Sequence, residues 1–198
     1  RSGLVLANED NPALGLRGVR LSLANGDLFD TQLRAIVRAS GYGPVRVLVP
    51  MISNREEIVA VRKRLKRVAE KLRKEGAEVA DDIPLGAMIE VPAAAIALHA
   101  FVDIVDFLSI GTNDLVQYLL AADRNNDALG ELYSPLNPGV VRLLKHIINV
   151  ANEHDTPVAV CGEIAGDAAL APLLLALGLT EFSLHPATLL EVRKAIRG

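Results

Sequence analysis

The chain has 198 residues, 51% hydrophobic and 23% charged, which supplies a sizeable core and excludes disorder as the overall state. A formal net charge of −3 excludes a basic nucleic-acid domain overall, and 4% aromatics without Trp argue against a base-stacking platform. A single Cys permits no internal disulfide and suits a reducing, cytosolic setting, and no apolar run reaches the ~18 residues of a membrane span.

The opening stretch RSGLVLANEDNP lacks the charged-then-apolar order of a signal peptide. It does not start with Met, as expected of a processed product or a piece of something longer. Asp27–Ser40 reads as a helix, and no strand is evident before Val45. Val45–Pro50 is a β-branched run ended by Pro, the pattern of a buried strand. Over Ser53–Gly76, Ile58, Val61, Leu65, Val68 and Leu72 recur at helical spacing, with Ser53 and Glu56 as the expected capping box and Gly76 as the stop.

The same alternation then repeats. Leu85–Val91 predicts a strand and Pro92–Ala100 a helix with Pro in its first turn. Val105–Gly111 predicts a strand, Leu115–Ala122 a helix, and a polar loop holds Asn125, Asn126 and Asp127. Pro138–Glu153 is an amphipathic helix, Thr156–Gly162 a strand, and Asp167–Leu177 a helix closed by Gly178. Glu181–Leu184 is a short strand and Pro186–Arg197 the last helix. Strands alternating with helices predict an α/β fold with a parallel sheet. The continuous apolar strands predict cover on both faces. One domain over residues 1–198 is the simplest organisation.

The chemistry collects where strands end. Glu90 closes the LGAMIE strand, Asn113 and Asp114 follow VDFLSIG, and Cys161, Gly162 and Glu163 follow VAV. In parallel α/β folds, and above all in (β/α)8 barrels, strand C-termini form the active face. Glu90 and Asp114 are hard oxygen ligands on adjacent βα units, a pair that Mg²⁺ takes together with water and substrate oxygens. Each carboxylate has the alternative of capping the helix that follows. Cys161 is either a buried small residue or a general acid. Arg17 and Arg124 sit in polar contexts as fork-shaped donors for phosphate or carboxylate. The basic run Arg62–Lys74 is interspersed with core positions and reads as the solvated face of its helix, not a nucleic-acid site. His99, His146, His154 and His185 show no metal-like spacing, and no dinucleotide or Walker glycine motif occurs.

These residues stand in longer stretches: NPALGLR at Asn11–Arg17, VPMIS at Val49–Ser53, IEVPAAA at Ile89–Ala95, DFLSIGTNDLVQY at Asp106–Tyr118, ADRNND at Ala122–Asp127, LYSPLNP at Leu132–Pro138 and CGEIAGD at Cys161–Asp167. In these, and in this order over essentially the whole chain, it resembles the C-terminal phosphoenolpyruvate-binding domain of enzyme I of the bacterial sugar phosphotransferase system. The resemblance implies an incomplete (β/α)8 barrel, with about five of eight parallel strands. The first three strands, the phospho-histidine domain and the C-terminal tail are expected to lie elsewhere, and Arg1-Ser2 does not match the family's Arg-Thr motifs.

It also implies roles. Glu90 and Asp114 would hold Mg²⁺, and Asn113 would contact the phosphoryl group. Arg17 and Arg124 would bind the phosphate and carboxylate ends of phosphoenolpyruvate, and Cys161 would protonate the pyruvate enolate. The implied partner is a histidine-containing phosphocarrier protein, reached through the absent domain. The wider superfamily supplies the alternative of a pyruvate phosphate dikinase or phosphoenolpyruvate synthase fragment, and a non-catalytic binding module is the third possibility. Open edges and an exposed inner face predict self-association, with a homodimer as the family's pattern.

Overall fold

The computed structural model describes residues 9–198. The readings made on residues 1–8, including Arg1-Ser2, lie outside them. Five strands form one parallel sheet in the order β1-β2-β3-β4-β5: Val47–Val49, Leu85–Ile89, Phe107–Gly111, Val158–Cys161 and Glu181–Phe182. Strands that follow one another without a reversal need crossovers that all run the same way. Right-handed crossovers then put the connecting helices on one face, as in a (β/α) barrel and unlike a doubly wound sheet. Among the described residues β1 and β5 are each paired on one side only.

α1 (Val19–Ala24) and α2 (Gly26–Ala39) precede β1. α3 (Arg55–Lys74) joins β1 to β2, and α4 (Pro92–Ile96) joins β2 to β3. α5 (Thr112–Leu120) and α6 (Pro138–Glu153) lie between β3 and β4. α7 (Glu163–Gly166) and α8 (Ala171–Ala176) lie between β4 and β5, and α9 (Leu189–Arg197) follows.

The sheet's two faces differ. Val47, Val49, Leu85, Ala87, Ile89, Leu108, Ile110, Val158 and Val160 are buried under the helices. The alternate residues Leu48, Met88, Phe107, Ala159 and Cys161 are only half-buried. The cover on both faces expected from the apolar strands is therefore corrected, and the exposed inner face expected of an incomplete barrel is what is found: one face is sealed by helices and the other is partly open. Arg46 lies over the Phe107 ring at 5.5 Å on that open side.

Several element boundaries also move. The capping box of α3 is Asn54 with Glu57, not Ser53 with Glu56: Asn54 accepts the Glu57 N–H, and the Glu57 carboxylate returns to the N–H groups of Asn54 and Ser53. The helix expected over Pro92–Ala100 stops at Ile96 and continues as two 3₁₀ turns. α5 begins at Thr112, three residues before the expected Leu115. The helix expected over Asp167–Leu177 shortens to α8, with Pro172 in its first turn, and α7 before it was not expected. The helix expected over Pro186–Arg197 opens with a 3₁₀ turn at Pro186–Thr188. α1 has no counterpart among the expected elements.

The basic run on α3 faces outward, as its pattern predicts. Arg62 pairs with Asp106, and Arg64 and Arg67 share Asp30, so three of its eight cations are paired within the chain. No helix among the described residues is long and apolar enough to cross a membrane.

Candidate active site

Register decides what meets at the rim. Gly111 on β3 pairs with Cys161 on β4, and Ile89, the last residue of β2, pairs with Ile110. Glu90, the next residue after β2, therefore lies level with Gly111 and Cys161 on the open face. All three stand at strand C-termini.

Glu90 is 5% exposed. Its Oε1 accepts the Met51 N–H at 2.7 Å. Met51 takes φ of +60° at the end of β1, an uncommon conformation for a non-glycine residue, and this aims its N–H at the carboxylate. Burial pushes the Glu90 carboxyl above its ordinary value; the Met51 N–H opposes that shift and the Asp114 charge adds to it. Gly111 makes the room, since a Cβ there would stand 2.6 Å from Glu90 Oε2.

Asp114, in the first turn of α5, receives both arms of Arg17, at 3.1 and 3.5 Å. Arg17 also donates to the Tyr118 hydroxyl at 3.0 Å, and Tyr118 in turn donates to the Ala13 carbonyl. The NPALGLR segment is thus fastened to α5 through its arginine. Arg124 is exposed, and its backbone N–H is held by the buried Gln117 side chain at 3.1 Å. Its charge is near enough to act on Glu90 and on Tyr133.

Cys161 is half-buried. The Ser109 hydroxyl lies 3.4 Å from its sulfur, and the thiol points to the Ile110 carbonyl at 3.4 Å. Burial pushes the thiol above its ordinary pKa, Glu90 adds to this, and Ser109 opposes it. At neutral pH the group is therefore a thiol, the form a proton donor needs. Asn113 is fixed from two sides: its Oδ1 accepts the Glu163 N–H at 2.9 Å, and its carbonyl accepts the Tyr133 hydroxyl at 2.9 Å.

The structure thus brings Glu90, Asn113, Asp114 and Cys161 to one rim, with Arg17 directly on Asp114 and Arg124 within electrostatic reach. Met51, Ser109, Thr112, Tyr118 and Tyr133 join them without having been singled out in the sequence. Met51 and Thr112 lie just after strand ends, which could have flagged them, whereas Ser109 lies inside β3, Tyr118 on α5 and Tyr133 in the loop before α6, where no such signal exists. Among the described residues no group of three or more His, Cys, Asp or Glu could hold a metal. Two carboxylates here could serve a hard cation: Glu90, whose burial a cation would offset, and Asp114, which in this structure is held by Arg17.

The family described as PEP-utilising enzyme, PEP-binding domain, matches residues 2–198. The chain belongs to this family. Curated relatives include phosphoenolpyruvate-protein phosphotransferases of Cupriavidus necator (50% identity over 94% of this chain) and Listeria monocytogenes (47% over 98%). That of Staphylococcus aureus is 45% identical over the full chain. The chain spans about a third of the length of these relatives, 32–34%. A citrate lyase structure from Burkholderia xenovorans superposes with a TM-score of 0.61 over 84% of this chain and 53% of that one. At 21% identity, the likeness concerns the fold alone.

Proposed function

We propose that this chain is the phosphoenolpyruvate-binding part of a phosphoenolpyruvate–protein phosphotransferase. The reaction moves a phosphoryl group from phosphoenolpyruvate to a protein histidine and so starts sugar uptake in the cytoplasm. The observation that carries this reading is the convergence of a carboxylate pair and a half-buried thiol at the ends of three adjacent strands, with Arg17 bonded to one of the carboxylates.

Glu90 and Asp114 would hold Mg²⁺, which when bound supplies neutralisation of charge on the phosphoryl oxygens. Arg124, and Arg17 after exchanging its bonds to Asp114, would bind and orient the phosphate and carboxylate of the substrate. Asn113, with Oδ1 committed to Glu163, turns its NH₂ group toward the substrate and donates to a phosphoryl oxygen. When the phosphoryl group leaves, its bond to the enol oxygen breaks and an enolate remains. The Cys161 S–H bond then breaks as a C–H bond forms at C3, giving pyruvate and a thiolate beside the Ser109 hydroxyl. Solvent returns the proton.

The acceptor histidine belongs to a domain outside this chain, which serves a histidine-containing phosphocarrier protein. The continuous core supports reading the described chain as one unit, a partial phosphoenolpyruvate-binding barrel. A second copy is the expected partner, as a homodimer. The internal pairing of the α3 arginines supports no role for nucleic acid, and insertion into a membrane forms no part of the reading.

The test is calorimetric titration with phosphoenolpyruvate, with and without Mg²⁺, on the chain and on Asp114→Asn. Heat that requires Mg²⁺ and disappears in the variant is expected. Mg²⁺-independent heat, or heat unchanged in the variant, refutes the carboxylate assignment. No heat in either protein refutes binding by this chain.

A further inference from the structure

Backbone pairing between β3 and β4 ends at Gly111 and Cys161, where the chain turns into α5 on one side and α7 on the other. The next rung is made by side chains. The Thr112 hydroxyl donates to the Cys161 carbonyl at 2.7 Å. The Asn113 Oδ1 accepts the Glu163 N–H at 2.9 Å. Between them Gly162 takes φ of +94°, and a Cβ on it would meet Thr112 Oγ1 at 2.5 Å and Asn113 Oδ1 at 2.7 Å. Thr112 is fully buried, so its hydroxyl has no water to turn to.

We propose that Thr112 is a positioning residue: its hydroxyl clasps the β3–α5 junction to the end of β4 and so fixes both the Cys161 thiol and the Asn113 amide. Thr112 acts through its neighbours in two ways. The bond to the Cys161 carbonyl holds the residue whose sulfur sits against Ser109 and Ile110. The close approach of the two turns, which only a glycine at position 162 permits, keeps the Glu163 N–H on Asn113 Oδ1. That occupies one lone pair of Oδ1 and fixes which way the amide is turned, with the NH₂ group as the donor it offers to a phosphoryl oxygen. The effect on substrate rests on the functional reading above; the placement of the thiol does not.

The test uses Thr112→Val, which removes the hydroxyl at nearly constant volume, and Thr112→Ser, which keeps it. Cys161 is the only cysteine, so alkylation by iodoacetamide reports on this sulfur alone. In folded protein at fixed pH, alkylation is expected to quicken about threefold or more in Thr112→Val as the strand end loosens, and to return to the parent rate in Thr112→Ser. Phosphoenolpyruvate affinity in the presence of Mg²⁺ is expected to fall about fivefold in the valine variant, the worth of one net hydrogen bond, and to recover in the serine variant. Gly162→Ala, which drives the two turns apart, should reproduce the valine result.

Equal alkylation rates in all variants overturn the clasp. Quickened alkylation without substrate binding in any protein, parent included, upholds the clasp and refutes the functional reading instead. If neither the valine nor the alanine variant folds, amide exchange at Glu163 in the unaltered chain decides. Strong protection supports the clasp, and exchange at the rate of an open turn overturns it.

Discussion

Gly111→Ala tests how tightly the buried carboxylate is held. The backbone at Gly111 has φ of −82°, open to any residue, so the added methyl brings no conformational penalty of its own. By stiffening the unfolded chain it would normally stabilise by about 0.4–1 kcal/mol. Here the new Cβ meets Glu90 Oε2 at 2.6 Å, Glu90 Cβ at 3.0 Å and Met88 Cγ at 3.1 Å, all inside ordinary contact at 3.4 Å. The carboxylate can swing away only by giving up the Met51 N–H at 2.7 Å. Overpacking costs about 1–3 kcal/mol, and losing a hydrogen bond to a charged group costs a similar amount. The net loss is about 1–2 kcal/mol, a fall of about 2–8 °C in Tm for a chain of this size. Thermal unfolding followed by circular dichroism measures it. The same change in a Glu90→Ala background, which removes Oε2, should cost less by about 1 kcal/mol, the coupling expected of touching residues. An unchanged or raised Tm for Gly111→Ala, or full additivity with Glu90→Ala, would refute the picture of a pinned carboxylate.

The raised carboxyl of Glu90 has a pH signature. Its folded pKa lies above its unfolded one, so the native state binds the proton more tightly, and stability falls as pH rises from the ordinary carboxylate range through the folded pKa. Glu90→Gln should remove that decline in urea denaturation measured over the same pH range without metal, and a decline of the same size in the variant would rule Glu90 out as its source. For Cys161, the midpoint of iodoacetamide alkylation against pH should lie above the ordinary thiol value; a midpoint below it would contradict the burial that raises it. Asn54→Ala should lower stability by about 1 kcal/mol through loss of the α3 cap, whereas Ser53→Ala should cost less; the reverse order in urea denaturation would favour the capping box expected from the sequence.

The strands and the rim were the legible part. Each of β1 to β4 is a short apolar run bounded by Pro, Gly or polar residues, and the period changes visibly when a helix follows. Glu90 stood out because a carboxylate ending an apolar strand is rare without a use. The α3 cap slipped by one residue because Ser53, Asn54, Glu56 and Glu57 offer two overlapping capping boxes, and composition cannot choose between them. α5 was placed too late because Thr112, Asn113 and Asp114 carry the polarity of a loop. They are polar because they reach across to β4 and to Arg17 while already helical. Met51 could not be foreseen at all. Its contribution is a backbone N–H set by a positive φ, and no side-chain pattern encodes that. The half-open inner face was expected from the incomplete barrel, but not which residues line it: Leu48, Met88, Phe107 and Ala159 are as apolar as their buried neighbours, so hydropathy alone could not separate the two faces.

The unbroken strand order bears on how such a chain acquires its shape. Every strand's partner is the one just made or the next to come, so no pairing waits on a distant segment, and the sheet can lengthen rung after rung from any starting pair. Loop-closure entropy is met in small instalments, which favours rapid folding for a parallel sheet. The groups at the rim come from neighbouring links of this series. An arc of consecutive units can therefore hold their geometry by nearest-neighbour contacts, without waiting for a ring to close.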